Sequence, residues 1–133
     1  MTTDTPTPEI VPAAVRIAAQ NDLFRRQVGS IAPGLGRAED GTLPGRVVFT
    51  HAVAAQGQLF PLLCLLAVAG YDTFEVENDP DGWHDFGAVE VEDQTVWFKI
   101  DLYADATMEW GSAAPDDPTR TYRVLTVMFP TDW

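Results

Sequence analysis

The chain has little cysteine, few basic residues and no long hydrophobic run. Its 133 residues contain one cysteine, so no disulfide can form within the chain. Cys64 stands inside an apolar run, which predicts a buried thiol that behaves as a small hydrophobic residue. A single buried thiol is compatible with a reducing compartment. The cysteine content therefore gives no indication of a disulfide-stabilised secreted domain.

Basic residues are scarce relative to acidic ones. Eight lysines and arginines are present against 20 aspartates and glutamates, which gives a net charge of −12. Direct binding to nucleic acid needs a basic surface, and anionic membranes also attract lysine and arginine. The composition therefore argues against nucleic acid and membranes as direct partners.

Signals for export or membrane insertion are missing as well. Residues 1–9 have neither the cationic start nor the apolar stretch of a signal peptide. The longest apolar run, 59–69, contains Pro61 and is shorter than the roughly 20 residues that a membrane span needs. We expect a soluble, cytoplasmic protein. A flexible N-terminal tail over 1–11 should precede one domain over 12–133.

The excess of acidic residues is confined to the second half of the chain. Residues 1–68 carry five acidic and five basic side chains, so that half is neutral. Residues 69–133 carry the other 15 acidic side chains and only three basic ones. The segment 72–93 alone holds nine carboxylates and no lysine or arginine. The charge pattern thus points to one strongly acidic surface.

Apolar residues recur at helical spacing in two places. Over 12–28 they form a stripe with steps of three and four, and Gly29 ends the pattern. The stripe consists of Ala14, Ile17, Asn21, Phe24 and Val28. The segment 57–69 is apolar almost all round, so we predict that this second helix is buried.

The remaining pattern indicates strands and three loops. In 94–103, apolar residues alternate with polar and aromatic ones, which is typical of a half-buried antiparallel strand. Further strands are predicted over 46–50, 71–77, 86–92 and 122–129, and loops over 29–45, 78–84 and 104–119. We therefore predict an α+β fold, with an antiparallel sheet of about four to five strands packed against two helices.

Several separated motifs resemble a known family. They are Asn78 to Gly87, Trp97 to Asp101, Gly111-Ser112, Asp117-Pro118 and Arg123 to Thr126, with Ile17, Asn21-Asp22 and Gly45 to Val48 before them. Together they resemble an uncharacterised family of small bacterial proteins, domain of unknown function 3768. The resemblance covers about residues 14–129. Leu102 stands where the family prefers a second tyrosine, and the segment 59–69 is more apolar than usual.

The resemblance implies no established activity. Members of this family tend to occur on mobile genetic elements, beside genes that counter host defence. This association suggests an anti-defence role, such as anti-CRISPR or anti-restriction activity. It is an inference from the family's surroundings rather than from the residues of this chain.

A metal site in the acidic segment is one alternative. Glu77, Asp79, Asp81 and Gly82 match the first positions of a calcium-binding loop. The twelfth position, however, is Ala88, where such a loop needs a bidentate glutamate. A solvated turn explains the same residues, so we expect no metal and no other cofactor.

A small proton-transfer site is a second alternative. Lys99 and Asp101 share one face of a predicted strand, and a hairpin could bring His84 and Asp85 close to that face. An acid, a base and a lysine in one cluster could transfer protons. The same four residues could equally form a structural ion-pair cluster.

Aromatic residues within the acidic half have two interpretations: they form a surface that binds another protein, or the long loops fold back and bury them. Tryptophan is a common anchor in interfaces, and carboxylates attract a basic partner. The predicted partner-binding residues are Glu75, Glu77, Asp79, Asp81, Trp83, Asp85, Glu90, Glu92, Trp97, Asp101 and Trp110. Carboxylates on one face of a strand recur every 6.6–6.8 Å, close to the ~7 Å spacing of phosphates.

Our leading hypothesis is a non-enzymatic acidic inhibitor. It would bind the basic, nucleic-acid-binding surface of another protein, such as a defence nuclease, by mimicking nucleic acid. An enzyme or a metal- or ligand-binding protein built on the histidine cluster is the alternative. In a third interpretation, the apolar 59–69 helix forms a homodimer.

Overall fold

A computed structural model of the chain describes residues 11–30 and 43–133. The predicted tail therefore lies almost wholly outside the described residues, as does most of the predicted loop 29–45. The helices are α1 (Ala13–Ser30), α2 (His51–Ala54) and α3 (Leu59–Ala69), and the strands are β1 (Gly45–Phe49), β2 (Phe86–Val91), β3 (Gln94–Tyr103) and β4 (Tyr122–Met128). Two short 3₁₀ turns are also present, Pro118–Arg120 between β3 and β4 and Pro130–Asp132 after β4.

The four strands form one sheet in the order β1-β4-β3-β2. The three strands β2, β3 and β4 are antiparallel neighbours, whereas β1 runs parallel to β4. The predicted α+β class is confirmed, but the expectation of a wholly antiparallel sheet is wrong. β1 reaches β4 through a long crossover, and strand periodicity carries no information on the direction of such a distant partner.

The β2–β3 hairpin turns at Glu92 and Asp93, as predicted. Both residues have positive φ angles, 50° and 65°, which is the backbone of a two-residue type I′ turn. This turn fixes the register, in which Val89 faces Val96. The alternation in β3 is also confirmed, since Val96 and Phe98 are fully buried while the intervening side chains lie on the opposite face of the sheet.

The predicted strand over 71–77 is absent. The segment is extended at first, and then turns where the backbone N–H of Asp79 donates to the carbonyl of Glu75 at 2.8 Å. The side chain of Asn78 fixes this turn by accepting from the backbone N–H of Glu75 at 2.8 Å. The local bonds of asparagine and aspartate compete with a sheet ladder and here replace it.

The helix α3 is buried on one face only. Phe60, Cys64 and Val68 point into the core against the sheet, while leucines occupy the opposite, exposed face. The expectation that this apolar helix is completely buried is therefore wrong. Within residues 11–30 and 43–133, none of the helices has the length and hydrophobicity of a membrane span.

Candidate functional site

Three polar side chains lie in the middle of the packed interior. Asn21 and Arg25 are one turn apart on α1 and share the inward stripe with Phe24. Arg123 extends from the central strand β4 toward the same helix, to which it is hydrogen-bonded. The exposed fractions of Asn21, Arg25 and Arg123 are 0%, 1% and 0%, so each must find its partners inside the protein.

Asn21 links the strand to the acidic segment. Its Oδ1 accepts a hydrogen bond from Nε of Arg123 at 2.8 Å, and its Nδ2 donates to the carbonyl of Trp83 at 2.9 Å. Nη2 of Arg123 donates to Oε1 of Gln20 at 2.8 Å, and Nη1 has no partner among the described residues. Burial lowers the pKa of Arg123 to about 10.

Arg25 connects the same helix to Tyr71, directly before the acidic segment, and to His84 within it. It forms a 2.8 Å ion pair with Asp22 and donates to the carbonyls of Tyr71 and His84 at 3.1 and 3.3 Å. Its guanidinium group lies 4.8 Å from the centre of the Phe74 ring. Burial lowers its pKa, while the hydrogen bond and charge of Asp22 oppose that shift.

His84 is held in a left-handed backbone conformation. Its φ is 57°, a region that costs energy for any residue except glycine. Its backbone N–H donates to both carboxylate oxygens of Asp79 at 3.1 Å. The imidazole Nδ1 lies 2.9 Å from Oδ1 of Asp22, and the ring stacks on Phe74 with centroids 4.0 Å apart. Such strain persists only where surrounding contacts fix it.

Asp79 is a structural acceptor rather than a surface charge. It is only 6% exposed and also accepts from the backbone N–H of Trp83 at 3.1 Å. The pKa of nearby Asp85 is raised, first by burial and then by the charge of Asp79. Asp79 therefore fixes the backbone of the acidic segment at Trp83 and His84.

The four residues of the predicted proton-transfer cluster have two separate sets of partners. His84 binds Asp22 of α1, whereas Lys99 forms a 3.1 Å ion pair with Asp101 on the open face of the sheet. Among the described residues, no side-chain hydrogen bond or ion pair joins His84 to Lys99 or Asp101. The carbonyl of Asp85, the fourth residue, accepts from the backbone N–H of Ile100 at 2.8 Å, at the position between Lys99 and Asp101. The arrangement places the histidine on the helix side of the fold.

The open face of the sheet carries a group of aromatic side chains. Phe86, Trp97 and Trp133 meet edge to face, with ring centroids 5.4 to 6.2 Å apart, and Lys99 lies 5.7 Å from the centre of the Trp133 ring. An open depression of about 360 Å³ beside them is lined by Thr50, Lys99, Thr126, Met128, Asp132 and Trp133. The carboxylate of Asp132 is already bonded to Thr50, at 2.7 Å.

The predicted partner-binding residues differ in their exposure. Glu75, Glu77, Asp81, Glu90, Glu92 and Trp110 are exposed. Trp83, Asp85, Trp97 and Asp101 are half-buried, and Asp79 is buried. The six exposed residues are the most accessible to a partner, and Asp79 is the least accessible.

No metal centre is present in the part of the chain that the structure describes. There, no three histidine, cysteine, aspartate or glutamate side chains are arranged to hold a metal ion. The first carboxylates of the calcium-like pattern diverge, because Asp79 binds backbone N–H groups while Glu77 and Asp81 are exposed.

The sequence interpretation missed the polar interior. Arg25 is not among the residues predicted for the α1 stripe, and the pairing of Asp22 with His84 was not anticipated. Two signals were present: an asparagine within an apolar stripe, and Arg123 within an apolar strand. A polar residue in such a position must be paired when it is buried.

A family model described as "Protein of unknown function (DUF3768)" matches residues 49–132, a range that includes His84, Asp79 and the whole β2–β4 sheet. No curated protein and no solved structure matched the chain. The matched range covers more than half of the chain, so the chain belongs to the DUF3768 family of proteins of unknown function.

Proposed function

We propose that this chain is a non-enzymatic, acidic binding protein that docks on a basic surface of another protein. The docking surface is the acidic segment, residues 72–93. The observation that carries the proposal is that the carboxylates exposed in this segment form no ion pair within the described part of the chain. They are Asp72, Glu75, Glu77, Asp81, Glu90, Glu92 and Asp93.

Two of the described cations are directed into the protein and not toward these carboxylates. Arg25 and Arg123 are buried, and their guanidinium groups bind carbonyls, amides and Asp22 inside the protein. Within residues 11–30 and 43–133, no lysine or arginine forms an ion pair with these exposed carboxylates. An unneutralised acidic surface steers a basic partner toward it and accelerates the encounter.

The acidic segment is anchored rather than loose, which favours a defined docking surface. Asn21 and Arg25 bind its carbonyls, and His84 binds Asp22 of the helix. A surface that is already ordered loses less conformational entropy on binding. Anchoring therefore supports recognition of a specific partner in addition to general attraction.

The narrower form of the proposal is a nucleic-acid-mimicking inhibitor of a defence nuclease. Two points support it: the acidic charge, and the expectation, taken from the family resemblance, that members occur beside genes that counter host defence. The predicted match between carboxylate spacing and phosphate spacing is weakened, because residues 71–77 form no strand that would place carboxylates in a regular row. Mimicry would depend on charge density rather than on a phosphate-like repeat.

The proposal is tested by capture of partners from a bacterial lysate on immobilised protein. The test variant combines Glu75→Gln, Glu77→Gln and Asp81→Asn, all at exposed positions. The control combines Asp105→Asn, Glu109→Gln and Asp117→Asn, which removes the same number of charges outside the acidic segment. Asp79 is left unchanged because its carboxylate accepts the hydrogen bond of the Trp83 backbone N–H.

We expect the wild-type protein and the control to capture basic nucleic-acid-binding proteins, and duplex DNA or high salt to release them. The test variant should recover far less of the same proteins. Equal recovery by the test variant and the wild-type protein would contradict a role for the acidic segment. Inhibition assays on captured nucleases would then separate the narrower form from simple binding.

A further inference from the structure

We propose that the free edge of β2 binds an extended basic segment of the partner protein, which adds to the four-stranded sheet as a further strand. The edge consists of Phe86, Ala88 and Glu90, the residues of β2 whose backbone groups point away from β3. The inference rests on the function proposed above and specifies the form of the partner, an extended segment rich in arginine or lysine. Addition of a strand to an exposed sheet edge is a recurring mode of peptide recognition.

The direction of these backbone groups follows from the β2–β3 hairpin. Its turn holds two residues, so Val91 and Gln94 form the hydrogen-bonded pair that closes it, and bonded pairs recur at every second position. The 2.8 Å bond from the Ile100 N–H to the Asp85 carbonyl fits this alternation. The three edge residues lie between the bonded positions, so their N–H and carbonyl groups point outward. Among the residues that the structure describes, these backbone groups have no hydrogen-bond partner.

The edge of β2 is also accessible to a further strand. Ala88 and Glu90 are exposed, and the ladder from Phe86 to Val91 is regular, with one residue of β3 opposite each residue of β2. Proteins commonly protect a sheet edge with a proline, a lysine or a bulge, and β2 has none of these. The charge of Glu90 discourages an acidic strand but attracts a basic one.

The charges around the edge favour a basic strand over a second copy of this chain. Glu90 is followed at the turn by Glu92 and Asp93, and all three are exposed. Oγ1 of Thr95 donates to Oε2 of Glu90 at 2.6 Å, which holds this carboxylate on the open face of the sheet. Two copies, each with a net charge of −12, repel each other, whereas a segment rich in arginine or lysine is attracted.

The open face beside the edge offers an aromatic contact to the same strand. Phe86 lies on that face and meets Trp97 edge to face, with ring centroids 5.4 Å apart. Guanidinium and ammonium groups bind favourably to the faces of such rings. Side chains on one face of a strand recur about every 6.6–6.8 Å, so a segment with basic residues at alternate positions would place one beside Glu90 and another beside Phe86.

The opposite edge of the sheet lacks these features. β1 contains one charged residue, Arg46, and the residues that follow, 47–71, contain no aspartate, glutamate, lysine or arginine. A basic strand would therefore form no ion pair with β1 and would be repelled by Arg46. The charge pattern thus assigns the basic segment to the β2 edge and not to the β1 edge.

Calorimetric titration of the full chain with a model peptide provides the direct test. The probe is a peptide of about eight residues in which arginine alternates with threonine, long enough to cover the six residues of β2. The test variant is Ala88→Pro, which removes an outward N–H and leaves every charge in place. The control is Ala88→Thr, which changes the same side chain, keeps that N–H and suits a strand.

We expect the wild-type protein and Ala88→Thr to bind the peptide with similar Kd values. Ala88→Pro should raise the Kd at least about tenfold, with an unchanged far-ultraviolet circular dichroism spectrum. Undiminished binding by Ala88→Pro, or a wild-type protein that does not bind the peptide, would overturn strand addition. The lysate capture described above uses charge variants outside β2, so its result tests docking separately from this inference.

Amide hydrogen exchange of the wild-type protein, followed residue by residue by NMR, gives a second test that needs no variant. In the free protein the amides of Phe86, Ala88 and Glu90 should exchange quickly, whereas those of Val89 and Val91, which are bonded to β3, should be protected. The peptide should slow exchange at the three edge amides at least about tenfold and leave β1 unchanged.

Two results of the exchange experiment would overturn the proposal. One is a peptide that binds without slowing exchange at the three edge amides, since a strand that adds to β2 must accept their hydrogen bonds. The other is protection of the same amides that rises with the concentration of the protein alone, because a second copy of the chain would then occupy the edge.

Discussion

The side chain of Asn21 accepts a hydrogen bond from Nε of Arg123 at 2.8 Å, at a point where both residues are fully buried. The contact joins α1 to the central strand across 102 positions of sequence. The same amide also binds the carbonyl of Trp83, so one side chain connects helix, sheet and acidic segment.

Asn21→Ala should strongly destabilise the fold. It leaves the Arg123 Nε and the Trp83 carbonyl buried without partners, and each unsatisfied polar group costs about 1–3 kcal/mol. We expect the free energy of unfolding in urea to fall by about 3 kcal/mol. The control Ala19→Gln, at an exposed position of α1, should change it by less than about 0.5 kcal/mol. Similar losses in the two variants would show that Asn21 has no special role.

The left-handed conformation of His84 predicts an unusual order of stabilities. His84→Gly and His84→Ala both remove the imidazole, but only alanine keeps the steric cost of a φ of 57°. We expect His84→Gly to be more stable than His84→Ala by about 1 kcal/mol in urea unfolding. The control Ala19→Gly in α1 should show the reverse order, with glycine about 1 kcal/mol less stable. An alanine variant that matches the glycine variant would mean that position 84 is not strained.

Asp85 should make the fold less stable at neutral pH than at acid pH. Its pKa is raised above 3.8 by burial and by Asp79, so the folded protein disfavours the ionised carboxyl. This penalty is absent below the unfolded pKa near 3.8, grows as pH rises through the raised folded pKa, and is constant above it. Asp85→Asn should therefore raise the Tm at pH 7, and the gain should vanish near pH 3.

Asp105→Asn provides a control of the opposite sign for that experiment. Hydrogen bonds from Thr107 lower the pKa of Asp105, so its ionised form favours folding above the unfolded pKa, and this contribution is lost as pH falls through the lowered folded pKa. Asp105→Asn should lower the Tm slightly at pH 7 and have no effect at low pH. If Asp85→Asn also lowered the Tm at pH 7, the result would contradict the raised pKa of Asp85.

Gly45 marks a close approach of β1 to α1 and β4. A Cβ there would collide with the carbonyl oxygen of Arg123 and would lie 2.6 Å from Cζ of Phe24. We expect Gly45→Ala to cost about 1–3 kcal/mol of unfolding free energy. Gly111→Ala should cost less than about 0.5 kcal/mol, because a Cβ there would lie 3.9 Å from the carbonyl oxygen of Leu102, an ordinary van der Waals distance. Tolerance at Gly45 would show that β1 can shift away from the helix.

The elements that follow a local pattern were predictable. The α1 stripe, the β2–β3 turn and the alternation within β3 all depend on residues a few positions apart. Their boundaries fall within two residues of the predicted ones. Hydrophobic periodicity indicates which face of a helix or strand is buried, and no information on distant residues is needed for that prediction.

The contacts that define the candidate site were not predictable in the same way. The Asp22–His84 and Asn21–Arg123 contacts join residues 62 and 102 positions apart. The parallel pairing of β1 with β4 is equally distant in the sequence. Local periodicity does not identify such partners, because many side chains and strands in the sequence could pair with any given one.

The sequence by itself determined the amount of acidic charge, its restriction to the second half, and the uncharged stretch before it. These are properties of composition that folding cannot alter. Only the tertiary structure decided which charges face outward: it buries Arg25, Arg123 and Asp79 and leaves seven carboxylates of the acidic segment exposed. The physical reason is desolvation, since a polar group enters the interior only where distant parts of the chain supply its hydrogen bonds.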